Sequence, residues 1–539
     1  MKCPSCNGVL YFDIKKQKLK CQHCESEYEV KDYDLKNDAQ ETIIEGARMY
    51  TCKNCGAQLI SANDEAVSYC SYCGSEAVLE SQISGVKRPK YIVPFKIDKE
   101  QCKSIYQSKL KNKFFVPKEF RDPEFIEKFR PFYIPYWMYT VKFREDPFDV
   151  KGTCRYSKGD YDYYEEYDIT ARIRDNGLYG IPFDASRNFD DTIAEHISPF
   201  TKKGMVKYRQ GYLAGMYADA PNVEADLYKE EVMDKATEIA VKDLKHDLKV
   251  DDLDLPRKKA KLQEFLQTSY ESEDTIYLPV WFLTWRKNDR VAYAVVNGQS
   301  GKIHIDLPAD LNVFSLYTAA GAGLLFILLT LFVSVTSRFV IWFAAVLVYL
   351  VGRRYRSELK QIRDRENHVF DKGYLLNDAK ELLMSEKKRS RIRRSFRRDT
   401  GVFRTIFTGI ILSIFLVSFF IMGEVYDLLV SQTGAMVITF IVMVLEAILF
   451  IKQLAAAMYL RNKRSVFICL LGLGSVIYAF AVAAAQPVQD WWYYLGALVA
   501  LAASAIMCTD MIVRYNETST RPLPSFYERK GGDDHAKEV

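Results

Sequence analysis

Cys3, Cys6, Cys21 and Cys24 recur 49 residues later as Cys52, Cys55, Cys70 and Cys73. Both quartets read C-x2-C-x14-C-x2-C. Thiolates at that spacing suit a tetrahedral Zn2+, because each C-x2-C forms a tight knuckle and the residues between allow a returning hairpin. Four thiolates leave no open coordination position, so the two Zn2+ ions are expected to be structural rather than catalytic. His23 lies inside one knuckle and could replace a cysteine; the reading here is a bystander. A second kind of chemistry belongs to Glu446, an acid inside an apolar run. Such a group is costly in a bilayer and is by default a candidate proton or ion site. As the one deeply placed acid, without the broken helices of a transporter, it is expected to bond a neighbouring helix or sit in a small wet pocket. Asp510 is expected to pair with Arg514 one turn on. The third feature is the basic run Lys387, Lys388, Arg389, Arg391, Arg393, Arg394, Arg397 and Arg398. Beside a membrane it favours contact with anionic lipid, at about 1 kcal/mol per basic residue, or acts as a topology signal. Nucleic acid is the lesser expectation for it.

The elements that must hold these groups are legible in outline. In each ribbon a glycine and an apolar run, Gly8 then Val9–Phe12 and Gly56 then Gln58–Ile60, fit a strand leaving a knuckle. Gly74 follows the last knuckle, where a positive φ is often required. Neither ribbon of about 25 residues can bury enough apolar surface to fold alone, so metal is expected to supply the folding energy. Cys102, Cys154, Cys469 and Cys508 are scattered. Paired knuckles and a start, Met1-Lys2-Cys3-Pro4, without an apolar signal run predict reduced thiolates in the cytosol.

Residues 87–310 read as an α+β module in two related halves. YIPYWMYT at 133–140 reappears as YLPVWFLT at 277–284. Proline in such runs predicts edge strands or strand entrances, and the aromatic content predicts strands around them. Trp137 and Trp281 could line a ligand groove; equivalent core anchors are the favoured reading. Asn297-Gly298 predicts a hairpin turn. Helices are expected near 99–110, 227–248 and 257–268, the last with Pro256 at its first position. The run Gly298-Gln299-Ser300-Gly301-Lys302 lacks phosphate-loop spacing and lies in the hairpin, so that reading is rejected.

The 539 residues allow three or four domains, and the net charge of +5 hides a strong segregation. Beyond residue 311 the chain is mostly apolar. About 20 apolar residues cross a bilayer, which predicts six spans: 314–335, 339–352, 405–423, 434–460, 465–486 and 491–513. Trp491, Trp492, Tyr493 and Tyr494 would form an interfacial belt. Lys and Arg number 17 in 353–404, three in 461–464 and five after 513, against none in 424–433 or 487–490. The positive-inside rule then places both termini in the cytoplasm. The expected domains are ribbon one at 1–35, ribbon two at 45–82, the module at 87–310 and a transmembrane hairpin at 311–352. A basic loop at 353–404, spans three to six at 405–513 and a cytoplasmic tail at 514–539 complete the chain.

The first 80 residues resemble transcription-factor-IIB-type zinc ribbons. With KRPKYIVPFKIDKEQ at 87–101 and LPVWFLTWRKNDRVAYAVVNGQSGKI at 278–303, residues 1–355 resemble bacterial zinc-ribbon membrane proteins. Members are often labelled primosomal helicase relatives, which implies an ATPase core, and this chain has no Walker A motif. The resemblance implies phage-shock-type or flotillin-like protein partners under envelope stress. The expectation is therefore a non-enzymatic scaffold in the cytoplasmic membrane, contacting lipid and recruiting proteins, with self-association open to it. The alternatives are a transporter or channel governed by the ribbons, and a membrane-tethered nucleic-acid binder. The module is not strongly basic, which disfavours the last.

Overall fold

The computed structural model describes residues 1–34, 48–61, 70–75, 80–83, 88–158, 161–173, 177–186, 188–200, 204–317, 320, 336–366, 431–459 and 463–522. It divides into two compact units, Met1–Lys109 with Pro123–Ile305, and Leu110–Asp122 with Asp306–Pro522. The expected spans at 314–335 and 405–423, the basic run 387–398 and the end of the tail lie wholly or mainly outside the described residues.

In the first unit β1 (Leu10–Asp13), β2 (Lys18–Cys21) and β3 (Glu27–Tyr28) form a small antiparallel sheet. Burial alternates along β1, with Leu10 and Phe12 inward, as expected of a strand with one covered face. The second ribbon's β4 (Arg48–Thr51), β5 (Gln58–Ser61) and β6 (Glu80–Ile83) are arranged differently. β4 pairs with both β5 and β6. Leu59, Ile60 and Ser61 of β5 are all buried, the pattern of a strand covered on both faces. The rest of the module explains why.

Its strands are β7 (Tyr91–Ile92), β8 (Arg130–Lys142), β9 (Phe148–Lys158), β10 (Tyr161–Ala171), β11 (Gly177–Asp184) and β12 (Val206–Lys207). They continue with β13 (Tyr217–Asp219), β14 (Asp252–Leu253), β15 (Ser269–Lys287), β16 (Arg290–Asn297) and β17 (Ile303–Ile305). The main sheet runs β12-β7-β15-β8-β13-β5-β4-β6, with β11 on β8 and β16-β17 on β15. β13 pairs with β8 on one side and β5 on the other. The second ribbon is thus part of the module's sheet.

The repeated motifs lie on the two central strands and cross each other about a local two-fold. Ile134 pairs with Leu278, Tyr133 with Pro279, and Pro135 with Tyr277. The prolines were expected at edges, yet β8 and β15 are central. Each proline nevertheless sits one residue past the end of a flanking ladder. β11 stops at the Asp184–Tyr136 pair, next to Pro135, and β16 stops at Asn297–Val280, next to Pro279. The carbonyls of Pro135 and Pro279 there accept Ala185 N at 2.9 Å and Gly298 N at 2.8 Å. No ladder N–H is needed from either proline, so a local edge exists inside a central strand.

The Asn297 turn forms as expected, joining β16 to β17. Asn297 Oδ1 accepts the Gln299 and Ser300 amides at 2.8 and 3.0 Å. The longer helices of this unit are α1 (Lys99–Leu110), α2 (Asp191–Ile197), α3 (Lys229–Leu248) and α4 (Lys259–Phe265), beside single turns at Val30–Asp34 and Pro123–Ile126. α4 begins later than Pro256 suggested. Lys258, with extended backbone, is its cap, and its carbonyl takes the first helical bond, from Leu262 N.

In the second unit four helices pack together: α5 (Ser337–Glu366), α6 (Gln432–Tyr459), α7 (Lys463–Ala485) and α8 (Trp491–Ser519). Three of them are long and apolar enough to cross a membrane, over Thr433–Met458, Lys463–Ala485 and Trp491–Glu517. The outer face of α6 carries Val437, Phe440, Ile441, Val444, Ile448 and Ile451, all exposed. α5 is not among the three. Only its first half is apolar, and Arg353, Arg354 and Arg356 begin a charged second half, leaving less than the about 20 apolar residues a span requires. The expected second span is thus the start of a longer amphipathic helix.

Candidate metal centres and the surfaces around them

Each cysteine quartet converges, its four Sγ atoms lying within 4.8 Å of one another. Within them Cys3–Cys24 and Cys6–Cys21 are 3.6 and 3.5 Å apart, and Cys52–Cys73 and Cys55–Cys70 are both 3.7 Å. A tetrahedral ion with metal–sulfur bonds of about 2.3 Å needs sulfur separations of about 3.8 Å. Both donor sets therefore fit a metal ion. All twelve cysteines are free of disulfides.

The knuckles are built alike. Asn7 N and Gly56 N bond back to the carbonyls of Cys3 and Cys52 at 2.9 and 2.8 Å, and Gly74 N to Cys70 at 3.0 Å. The residue closing each turn has a positive φ: Asn7, Glu25, Gly56 and Gly74. The knuckles of the first ribbon accept two non-glycine residues in this conformation, which is uncommon outside Asn, Asp and His. Gly8 is required for another reason. A Cβ there would stand 3.2 Å from both Cys6 Sγ and Cys21 Sγ. His23 is outside the donor set: its backbone amide, at 3.4 Å from Cys21 Sγ, makes its contact with the centre.

The two centres differ in their surroundings. In the first, Cys6 and Cys24 are exposed while Cys3 and Cys21 are buried. The Tyr28 hydroxyl lies 3.4 Å from Cys3 Sγ and, with nearby backbone amides, holds that thiol down at about 6. A lowered pKa favours the thiolate that a metal needs. In the second, all four cysteines are 0% exposed and belong to the module's own core with Phe132, Ile134, Leu278 and Phe282. Thr284 Oγ1 donates to the Ser71 carbonyl, and the Tyr293 hydroxyl donates to the Tyr72 carbonyl at 2.6 Å. Tyr72, between the last two cysteines, donates to Asp219 Oδ2 at 2.6 Å. Asp219 also accepts from Ser186, from Asn188 at 3.0 Å and from Ala220 N at 2.9 Å. Burial pushes its carboxyl up to about 6 against the pull of these donors. Asp219 belongs to β13, so the second centre is fixed to the strand that joins ribbon and module.

Trp137 and Trp281 occupy equivalent anchoring positions. Their indole N–H groups donate at 2.8 Å to the carbonyls of Val223 and Ile97. For Glu446 two surroundings were expected, a bond to a neighbouring helix or a small wet pocket; among the described residues no side chain bonds it. It is 0% exposed, neither carboxylate oxygen has a partner among the described residues, and its carboxyl faces Gly352 and Gly472. Those glycines have no side chain to offer a donor. Asp510 does pair with Arg514, at 3.3 Å, and also with Arg464, at 3.0 Å. The lipid-contact candidates Lys387 to Arg398 fall outside the described residues.

One surface was not singled out from sequence. β9 and β10 form a long hairpin, with β14 on its inner strand, leaving β10 at the edge of a separate three-stranded sheet. Tyr161 and Tyr164 are 73% and 65% exposed, and Tyr156, Tyr163 and Tyr167 are exposed too. Tyr156 and Tyr163 stack at 5.2 Å, and Arg155 lies over the Tyr164 ring at 5.3 Å. Asp162, Glu165, Glu166 and Asp168 share β10 with these rings. The signal was present as YDYYEEYD, aromatic at too many positions for a strand with one buried face.

Over 329 residues, 56% of this chain and 88% of the relative, the chain is 26% identical to the uncharacterized protein YdjG of Bacillus subtilis (strain 168). No family model matches the chain, and no solved structure matches it.

Proposed function

We propose that this protein is a non-enzymatic scaffold, held in the cytoplasmic membrane by several spans, that recruits protein partners to the membrane surface. Both cysteine quartets hold structural Zn2+ in this reading, because four thiolates at tetrahedral spacing leave no position for a substrate. The observation that carries the reading is the tyrosine hairpin. Five exposed tyrosines on one hairpin are more aromatic surface than a monomer ordinarily leaves in water, and aromatic rings are what protein interfaces concentrate. The acids on β10 select a basic partner surface, and the free edge of β10 allows strand addition. The outward apolar faces of the helical unit and the Lys/Arg segregation support an anchor with both termini cytoplasmic. Phage-shock-type or flotillin-like membrane proteins under envelope stress are the partners proposed.

The test is crosslinking and co-purification from native membranes with the full chain and its Tyr161→Ser/Tyr164→Ser variant. Partners captured by the parent and lost by the variant, at equal membrane levels, support the reading. An unchanged partner set would sink it.

A further inference from the structure

Glu446 is the most isolated buried acid in the helical unit, and its surroundings are specific. Its carboxyl occupies a gap between α5 and α7 that two glycines leave open. A Cβ at Gly352 would stand 3.3 Å from Glu446 Oε1, and one at Gly472 would stand 3.8 Å from it. The same Cβ at Gly352 would stand 2.9 Å from Gln453 Nε2. Glu446 and Gln453 therefore border one point, two helical turns apart on one face of α6. Gln453 donates to the Gly352 carbonyl at 2.9 Å, and its Oε1 has no partner among the described residues. Among the described residues the cluster thus holds three buried oxygens without a hydrogen bond, and its amide donor, Gln453 Nε2, is directed to the Gly352 carbonyl. An ionised carboxylate in that setting is costly, and a proton removes the charge at once. An alkali or alkaline-earth ion would ask for more oxygen ligands than these three.

The polar groups differ between the two sides of the cluster: ion-paired groups lie on one side, and on the other are hydroxyls and, at the helix ends, Asp490, which accepts from Ser337 Oγ at 2.8 Å. Toward one end, Tyr355 on α5 donates to Asp510 Oδ2 at 2.6 Å. Asp510 meets Arg464 of α7, whose side chain is 60% exposed, and Arg514 of its own helix. Toward the other end the buried hydroxyls bond back to their own helices: Thr439 to Ala435, Ser475 to Gly472 and Ser504 to Ala500. Between those turns the core is Ile341, Ala344, Val348, Val476, Ala479 and Ala497. The titratable groups on the packed faces are Tyr355 and Glu358 of α5, Cys469 and Arg464 of α7, and Asp510 and Arg514 of α8. Glu358 pairs with Arg354 at 2.9 Å. Among the described residues none is hydrogen-bonded or ion-paired to Glu446.

We propose that Glu446 is a proton-binding site at the end of a closed polar track. It exchanges its proton with the Arg464–Asp510–Arg514 end of the bundle and not with the opposite end. The step is the addition of one proton to the carboxylate, giving a neutral carboxyl and no other bond change. A site reached from one side reports the pH of that side, whereas a transport site must open to both. The proposal stands independently of what the tyrosine hairpin binds.

The test uses membrane vesicles of both orientations carrying the full chain, treated with an apolar carbodiimide that reacts with protonated carboxyls. The adduct at Glu446 is measured by peptide mass spectrometry. Labelling is expected to fall about tenfold per pH unit, above the titration point, when pH rises on the Arg464 side. It is expected to stay constant when only the other side is raised, and to be unaffected by NaCl or KCl. Labelling that follows the opposite side, or both sides, overturns the proposal, as does protection by an alkali cation. A parent-minus-Glu446→Gln infrared difference spectrum provides the second measurement. If it shows no protonated-carboxyl band at acidic pH and no adduct forms, the proposal fails.

Discussion

Two quartets with one spacing should release metal on very different timescales. In the first centre, Cys6 and Cys24 are exposed, so a chelator can displace their sulfur–metal bonds one at a time. In the second, a chelator reaches sulfur only after the knuckle Cys70–Cys73 lifts out of the core. That opening breaks three hydrogen bonds, from Thr284 to Ser71, Tyr293 to Tyr72 and Tyr72 to Asp219. At about 1 kcal/mol each they cost about 3 kcal/mol. Exposing the Tyr72 ring, packed edge-on against Phe132 and Phe282 at 5.7 Å, adds about 2–3 kcal/mol. The opening free energy is then about 5–6 kcal/mol, so the open population is lower by a factor of about 10^4. The assay is colorimetric metal release from the full chain in detergent under excess chelator. Two phases of equal amplitude are expected, the slower by roughly that factor and assigned by Cys6→Ser, which should abolish the fast phase alone. Tyr72→Phe should quicken the slow phase about tenfold, by removing one bond and leaving Asp219 one donor short. A single phase, or two within tenfold of each other, would refute the argument that the sheet guards the second centre.

Three further outcomes follow from single residues. Gly8→Ala should weaken metal retention at the first centre by tenfold or more, because its Cβ would crowd two sulfurs, and leave the slow phase unchanged. Asp219→Ala should destabilise the module by about 3 kcal/mol, by stranding the Tyr72 and Ser186 hydroxyls in the core; urea unfolding followed by tyrosine fluorescence would show it. Asn297→Ala should cost about 2–3 kcal/mol in the same measurement. It removes the acceptor for two turn amides and the donor to the Ile197 carbonyl.

Much of this was legible because local chemistry leaves little choice. The cysteine spacing dictates the quartets, Asn297 dictates its turn, and the repeated motifs announce two equivalent strands. The register that crosses them at Ile134 and Leu278 was not legible, since pairing depends on contacts 144 positions apart. The proline expectation missed for a related reason. Proline needs a missing ladder partner rather than an outer strand, and only the lengths of β11 and β16 show where a partner is missing. Glu446 was found as an apolar-run acid, but the glycines opposite it lie on two other helices. No pattern along α6 marks them.

The inequality of the two quartets could have been read from the residues between and beside the cysteines rather than from the cysteines themselves. The first quartet encloses Pro4-Ser5 and Gln22-His23, and its hairpin alternates apolar with charged residues: Leu10, Phe12 and Leu19 against Asp13, Lys18 and Lys20. Alternation provides for one covered face, and that face is met by Tyr212 and Gly211 at the module's surface. The second quartet encloses Ser71-Tyr72, and its first cysteine pair is followed by Leu59-Ile60 without alternation. A strand apolar on both faces must be covered on both, and a ribbon of this size has nothing with which to cover the second face. It therefore has to enter a larger sheet, which it does through β13. A metal site that enters a core has given up its surface to packing. The first ribbon, with Cys6 and Cys24 exposed, and the tyrosine hairpin keep theirs.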